Sequence, residues 1–228
     1  MRRVKSAQAN EIRALRRMKD RDIDTTDIPP VLEFLSLPFV SEFVFRNVRT
    51  SERRKQEQVA DFLILHRGTG ILVEQKCQED PSARTRQKAE LWARKKAKEG
   101  WSQARRAFTR RRDFPVWCDH PRQGHVEFRG GLPPIQHSIV TVEVFQPVDL
   151  QPDVESLPLD HDGVPITYLS VNDFLNLAVQ LRSVSELMDY LAARRTLPPA
   201  DLRLIGEEKE LFSFWRQRTW SEQSCCRG

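Results

Sequence analysis

Two short apolar runs, Phe62 to Leu65 and Ile71 to Val73, stand on either side of a Gly-containing stretch at Gly68 to Gly70. Unbroken apolar runs of this length, bounded by turn residues, are the pattern of strands buried on both faces, and their spacing predicts a β-hairpin. Upstream, Ala9, Ile12, Leu15 and Met18 recur at helical spacing among arginines, which predicts an amphipathic helix over 6–21. A polar linker ending in Pro29-Pro30 follows, then a second helix using Val31, Phe34 and Leu35, and a strand beginning near Glu42. Thr50 to Gln58 is dense in charge and reads as a turn.

Downstream of the hairpin, Ala93, Ala97, Trp101, Ala104 and Phe108 form one narrow apolar stripe. Their three- and four-residue steps predict a long helix over 82–112, on the order of 40 Å at about 1.5 Å per residue. Residues 113–137 mix Pro, Gly and His and read as loops with one short strand at Val126 to Phe128. The β-branched run Ile139 to Phe145 predicts a buried strand, and 147–165 reads as an acidic loop. Ser170 and Ser183 each open a capping-box pattern, predicting helices over 171–182 and 184–195. Pro198-Pro199 then opens a terminal helical stretch carrying Leu202, Leu211, Phe212 and Trp215.

Composition narrows the class. The 228 residues, 39% apolar and 30% charged, suffice for one medium globular core. No apolar run approaches the roughly 18 residues of a membrane span, and the basic N-terminus has no apolar signal core behind it. The cysteines Cys77, Cys118, Cys225 and Cys226 make no disulfide framework, which points to a reducing, cytoplasmic setting. The net charge of +5 conceals a gradient: residues 1–145 hold 29 Lys/Arg against 19 Asp/Glu, while 146–228 hold 8 against 13. Twelve basic residues fall between Arg84 and Arg112, opposed only by Glu90 and Glu99. Such asymmetry points to a polyanion on one side of the molecule.

The candidate chemistry lies at the open end of the hairpin, where Asp61, Glu74 and Lys76 follow the apolar runs. Side chains alternate along a strand, so Leu72, Glu74 and Lys76 share one face. An even-length loop centred between Gly68 and Thr69 sets Leu65 against Leu72, Leu63 against Glu74 and Asp61 against Lys76, bringing all three charges to that face; an odd loop would send Asp61 away. Two carboxylates converging in low dielectric repel unless a cation sits between them. Mg²⁺, which prefers hard oxygen ligands and takes one or two carboxylates, suits the pair, with the Gln75 carbonyl as a third ligand. Lys76 would then orient a metal-bound water or steady developing charge. The set Cys118, His120, His125 and His137 has no common zinc spacing and reads as loop residues.

Asp61, twelve intervening residues and Glu74-Gln75-Lys76 resemble the core motif of the PD-(D/E)xK nuclease superfamily, with Ala60 where the motif's name has Pro. Ser41-Glu42-Phe43-Val44-Phe45 resembles the segment where many members place an extra acidic residue, here Glu42. Gln103, in Trp101-Ser-Gln-Ala-Arg-Arg-Ala-Phe108, resembles the Gln-bearing helix of the RecB-like branches. The resemblance covers roughly residues 39–108 and, as a later core strand, 139–145. It implies an α/β fold of the restriction-endonuclease-like type: a mixed central β-sheet flanked by helices, with phosphodiester hydrolysis assisted by Mg²⁺ or Mn²⁺. In that frame Asp61, Glu74 and Lys76 are catalytic with Glu42 and Gln103 in support. Asp61, Glu74 and the Gln75 carbonyl hold metal. Lys95, Lys96, Arg105 and Arg106 meet nucleic acid, DNA in preference to RNA. The expected organisation is an N-terminal helix and linker over 1–30, a nuclease-like core over 31–148, and a helical C-terminal region over 149–228. That last region would pack on the core, dimerise or dock a partner protein. Restriction, repair or anti-phage defence would suit such an activity; the alternative is a non-catalytic binding or assembly subunit on the same fold.

Overall fold

The computed structural model describes residues 43–52, 55–77, 85–110, 114–120, 122–144, 146–153, 155–181, 183–208 and 211–217. The helix expected over 6–21, the linker, the helix after Pro30, Glu42 and the terminal cysteines lie outside them.

The hairpin expected from the two apolar runs forms between β2 (Lys55–His66) and β3 (Thr69–Lys76), and it is the centre of the sheet. Ahead of it comes β1 (Val44–Glu52), which pairs antiparallel with β2 from Val44 opposite Ile64 to Glu52 opposite Lys55. The charged segment 50–58 is therefore mostly strand, not the expected turn. It forms the far end of the β1–β2 pairing, from Thr50 opposite Glu57 to Glu52 opposite Lys55.

Chain order then gives α1 (Arg86–Arg110), β4 (Val116–His120), β5 (Gly124–Phe128) and β6 (Ile135–Val142). Next come the short β7 (Val148–Asp149) and β8 (Asp160–His161), then β9 (Val164–Ser170). After it follow α2 (Val171–Gln180), α3 (Val184–Arg194), β10 (Leu204–Ile205) and a further helical stretch, 211–217. Eight of the strands make one sheet in the order β5-β4-β1-β2-β3-β6-β9-β8, and β7 pairs with β10 apart from it. The sheet is mixed: β6 runs parallel to β3 and to β9, and the remaining neighbours are antiparallel. The chain is thus an α/β protein with a large mixed central sheet flanked by helices. That sheet continues past residue 149, since β9 is its seventh strand.

Each face of the sheet has its own helical cover. Phe62, Ile64, Ile71 and Val73 pack under α2, α3 and Phe212. On the opposite face Leu63 and Leu72 meet Ala104, Ala107 and Phe108 of α1, and Val140 and Val142 of β6 meet Ala93 and Ala97. The stripe of small residues explains how closely the helix lies: a Cβ placed on Gly100 would stand 2.5 Å from Val140 Cγ1. Ser170 and Ser183 cap α2 and α3 by accepting from Asp173 N and Glu186 N, as the capping patterns predict. The C-terminal stretch is fastened by a buried cluster, in which the Arg194 guanidinium donates to Glu208 at 2.6 and 3.0 Å and the Tyr190 hydroxyl donates to the same carboxylate. Among the described residues no helix is long and apolar enough to cross a membrane.

Candidate active site

The turn that closes the hairpin is shorter than the glycines suggest. His66 pairs with Thr69, leaving Arg67 and Gly68 as a two-residue loop with φ of 48° and 81°. Positive φ at both central positions is the mirror-image turn whose twist matches that of the flanking strands. Its centre lies between Arg67 and Gly68, one residue before the expected position. Leu63 therefore opposes Leu72, and Leu65 opposes Gly70. Carried one pair beyond Phe62 and Val73, this register sets Asp61 against Glu74, not against Lys76 as the expected turn would have it. The loop is still even in length, so the parity survives, and with it the sharing of one face.

That shared face is the one beneath α1. Glu74 stands beside Val140 in the parallel β3–β6 ladder, and it is Val140 that the helix backbone approaches at Gly100. Here Lys76 Nζ lies 3.5 Å from Glu74 Oε2 and 3.9 Å from Asp61 Oδ2, and donates to the Gln75 carbonyl at 3.3 Å. Asp61, Glu74, Lys76 and the Gln75 carbonyl are thus brought together. Exposure falls steeply across the group, from 25% for the Asp61 side chain through 13% for Lys76 to 3% for Glu74. Glu74 is the most deeply buried of the three.

The two carboxylates differ in environment. Asp61 is held by two neutral donors: the Gln75 N–H reaches Oδ2 at 2.6 Å, and Gln58 Nε2 reaches Oδ1 at 2.7 Å. Glu74 has no comparable support, and its Oε1 is buried without a hydrogen-bond partner among the described residues. Burial first, and the neighbouring Asp61 carboxylate second, push its carboxyl up to about 8, against the opposing pull of the Lys76 ammonium. Thr141 Oγ1 donates to the Glu74 carbonyl at 3.3 Å, fixing that stretch of β3 against β6.

Gln103 lies on α1 one turn beyond Gly100. Its side-chain Oε1 is buried without a partner among the described residues, as is Gln75 Oε1. The helix anchors its other flank elsewhere: Arg94 and Lys98 meet Asp153 at 3.8 and 2.5 Å, and Trp101 packs edge-on against His161. Of the four basic residues expected to meet nucleic acid, Lys95, Arg105 and Arg106 are exposed, while Lys96 is partly buried and paired with Glu99 at 2.5 Å. The histidines downstream do other work. His120 Nδ1 accepts from the backbone N–H groups of Arg122 and Gln123, and buried His137 is held down to about 4 by desolvation and the Arg195 charge.

Among the described residues no three His, Cys, Asp or Glu side chains converge as a metal-holding group. What is present is a pair of carboxyl groups, one of them with an unsupported buried oxygen, and a backbone carbonyl. That donor set is hard and all-oxygen, and once Glu74 releases its proton it fits a cation that keeps much of its water shell. Sequence reasoning did not foresee Gln58, which it placed in a charged turn, nor Thr141. Comparison with known protein families, with characterised proteins and with solved structures finds no match.

Proposed function

We propose that this protein is a metal-dependent nuclease hydrolysing phosphodiester bonds in DNA, on a fold of the restriction-endonuclease-like type. The observation that carries the reading is the convergence of Asp61, Glu74 and Lys76 at the C-terminal end of β3. A phosphodiester needs charge stabilisation at the attacked phosphorus and an ionised water to attack it, and carboxylates beside an ammonium can organise both. Asp61 and Glu74, with the Gln75 carbonyl, would hold Mg²⁺ or Mn²⁺, which when bound acidifies water and neutralises the phosphate. Lys76, within reach of both carboxylates, is placed to donate to the attacking water or to a phosphate oxygen. Glu74 must release its proton before it can ligate, so its protonation sets a lower pH limit on the reaction. Gln103 offers a buried acceptor on α1 for a water or a substrate group. Lys95, Arg105 and Arg106 form an exposed basic stripe on the same helix, suited to a phosphate backbone and indifferent to base sequence. Restriction, repair or anti-phage defence would suit this chemistry by analogy with nucleases of this type.

A second reading has its own support: Lys76 lies at ion-pair distance from both carboxyl groups. On that reading the charges are structural, and the protein binds nucleic acid without cutting it. One experiment separates the two. Purified protein is incubated with single-stranded and duplex DNA, and with RNA, in Mg²⁺ or Mn²⁺, beside Asp61→Ala and Lys76→Ala. Metal-dependent cleavage that falls at least about 100-fold in both variants is expected. Cleavage that survives both substitutions rejects the site, and binding without cleavage under either metal favours the structural reading.

A further inference from the structure

We infer that Gln58 is a positioning residue of the metal site, delivered there by a β-bulge in β2 and acting through Asp61. The inference rests on the nuclease reading only in assigning the site to a hard divalent cation.

Along β1 and β2 the pairing slips by one residue: Val48 stands opposite Ala60, but Arg49 stands opposite Gln58. Val59 is therefore an extra residue on β2. Burial follows the slip, for Val59 and Ala60 are consecutive buried residues, flanked by exposed Gln58 and half-buried Asp61. In a regular strand, residues three apart point to opposite faces. One inserted residue reverses that relation, and Gln58 arrives on the side of Asp61, where its Nε2 donates to Oδ1 at 2.7 Å. The same place carries a second irregularity, since β1 slips against β4 between Arg46 and Arg49, and Asn47 adopts a φ of 50° while donating to Asp119 at 2.9 Å. Bulges concentrate beside functional sites because they re-aim single side chains.

The bond to Gln58 has a defined chemical effect. Each carboxylate oxygen offers two lone pairs. The Gln75 N–H occupies one on Oδ2 and the Gln58 amide one on Oδ1, which fixes the carboxylate plane and leaves one lone pair on each oxygen for a cation. The remaining charged neighbour, Lys76, lies at 3.9 Å and binds Asp61 loosely. Without Gln58, Asp61 would be held by the Gln75 N–H at Oδ2 alone, and its Oδ1 could swing about that contact. Outer partners of this kind typically change metal affinity or activity 10- to 100-fold when lost.

The test uses Mn²⁺ itself as the probe, following the free-ion electron paramagnetic resonance signal during titration of the full chain. Gln58→Ala and Gln58→Met are compared with the natural protein; Met keeps the length of Gln and removes the donor. Both variants are expected to bind Mn²⁺ about ten-fold more weakly. Their metal-free melting temperatures should be unchanged, because Gln58 is exposed. Mn²⁺ affinity equal to the natural protein's in Gln58→Met overturns the inference, and so does a failure of the natural protein to bind Mn²⁺. If the natural protein binds Mn²⁺ and cleaves no nucleic acid, the nuclease reading fails, while the role of Gln58 is still judged by the titration.

Discussion

Glu74 is the site residue whose chemistry is set far from its ordinary range. In the unfolded chain its carboxyl titrates near the usual 4.5, whereas in the fold it is pushed up to about 8. Between these values the native state holds a proton that the unfolded chain has released, so stability falls as pH rises through that window. Denaturant unfolding at about pH 5 and about pH 8 should show the natural protein less stable at the higher pH, with the difference much reduced in Glu74→Gln. A divalent cation bound between the carboxylates would compete with that proton. Mn²⁺ affinity should therefore rise across the same interval, and a pH-independent affinity would remove Glu74 from the ligand set. The triad itself was legible in the sequence because three charges closed two apolar runs. The partner of Asp61 was not. Arg67, a residue with no special liking for positive φ, takes the first place of the turn, and that moves the pairing from Lys76 to Glu74.

At the scale of elements, α1 is positioned by volume. Gly100 lets its backbone rest on Val140, the neighbour of Glu74 in the sheet, and a Cβ there would meet a β-branched side chain on a central strand that has no room to turn aside. Gly100→Ala should therefore lower stability by about 1–3 kcal/mol through overpacking, although alanine is the better helix former. A stabilised Gly100→Ala protein in thermal unfolding would show that the helix shifts freely over the sheet. The small-residue stripe that announced this helix was readable from period alone. Two strands were less so. β4 alternates buried Val116, Cys118 and His120 with half-buried Trp117 and Asp119, a pattern blurred by the surrounding Pro and His. β9 contains Pro165, which argues against a central strand, yet the residue sits at the start of β9 opposite a two-residue edge strand that needs few ladder bonds. The charged residues 50–58 misled for a related reason: a strand held by backbone pairing with its neighbour leaves no apolar signature in the sequence.

Across the whole molecule, the exposed charge of α1 is turned outward, away from the face that packs on the sheet. Arg94 and Lys98 share Asp153, and the exposed basic residues of α1 include Lys88, Lys95, Arg105 and Arg106. Nucleic-acid affinity should fall steeply with salt. Removing one of these residues, as in Arg106→Ala, should lower the slope of log K against log salt by about 1 without changing sequence preference. An unchanged slope, measured by fluorescence anisotropy across a salt series, would place the phosphate track on another surface.

The extra residue in β2 has one more consequence, for descent. Loss of a single codon at Val59 would leave Gln58, Asp61, Glu74 and Lys76 all present in the chain and yet return Gln58 to the far side of the sheet. The site is thus inherited as a count of residues as well as a set of letters. A lineage could lose the arrangement by deletion while keeping every side chain it needs, and could regain it by inserting almost any residue able to sit buried there.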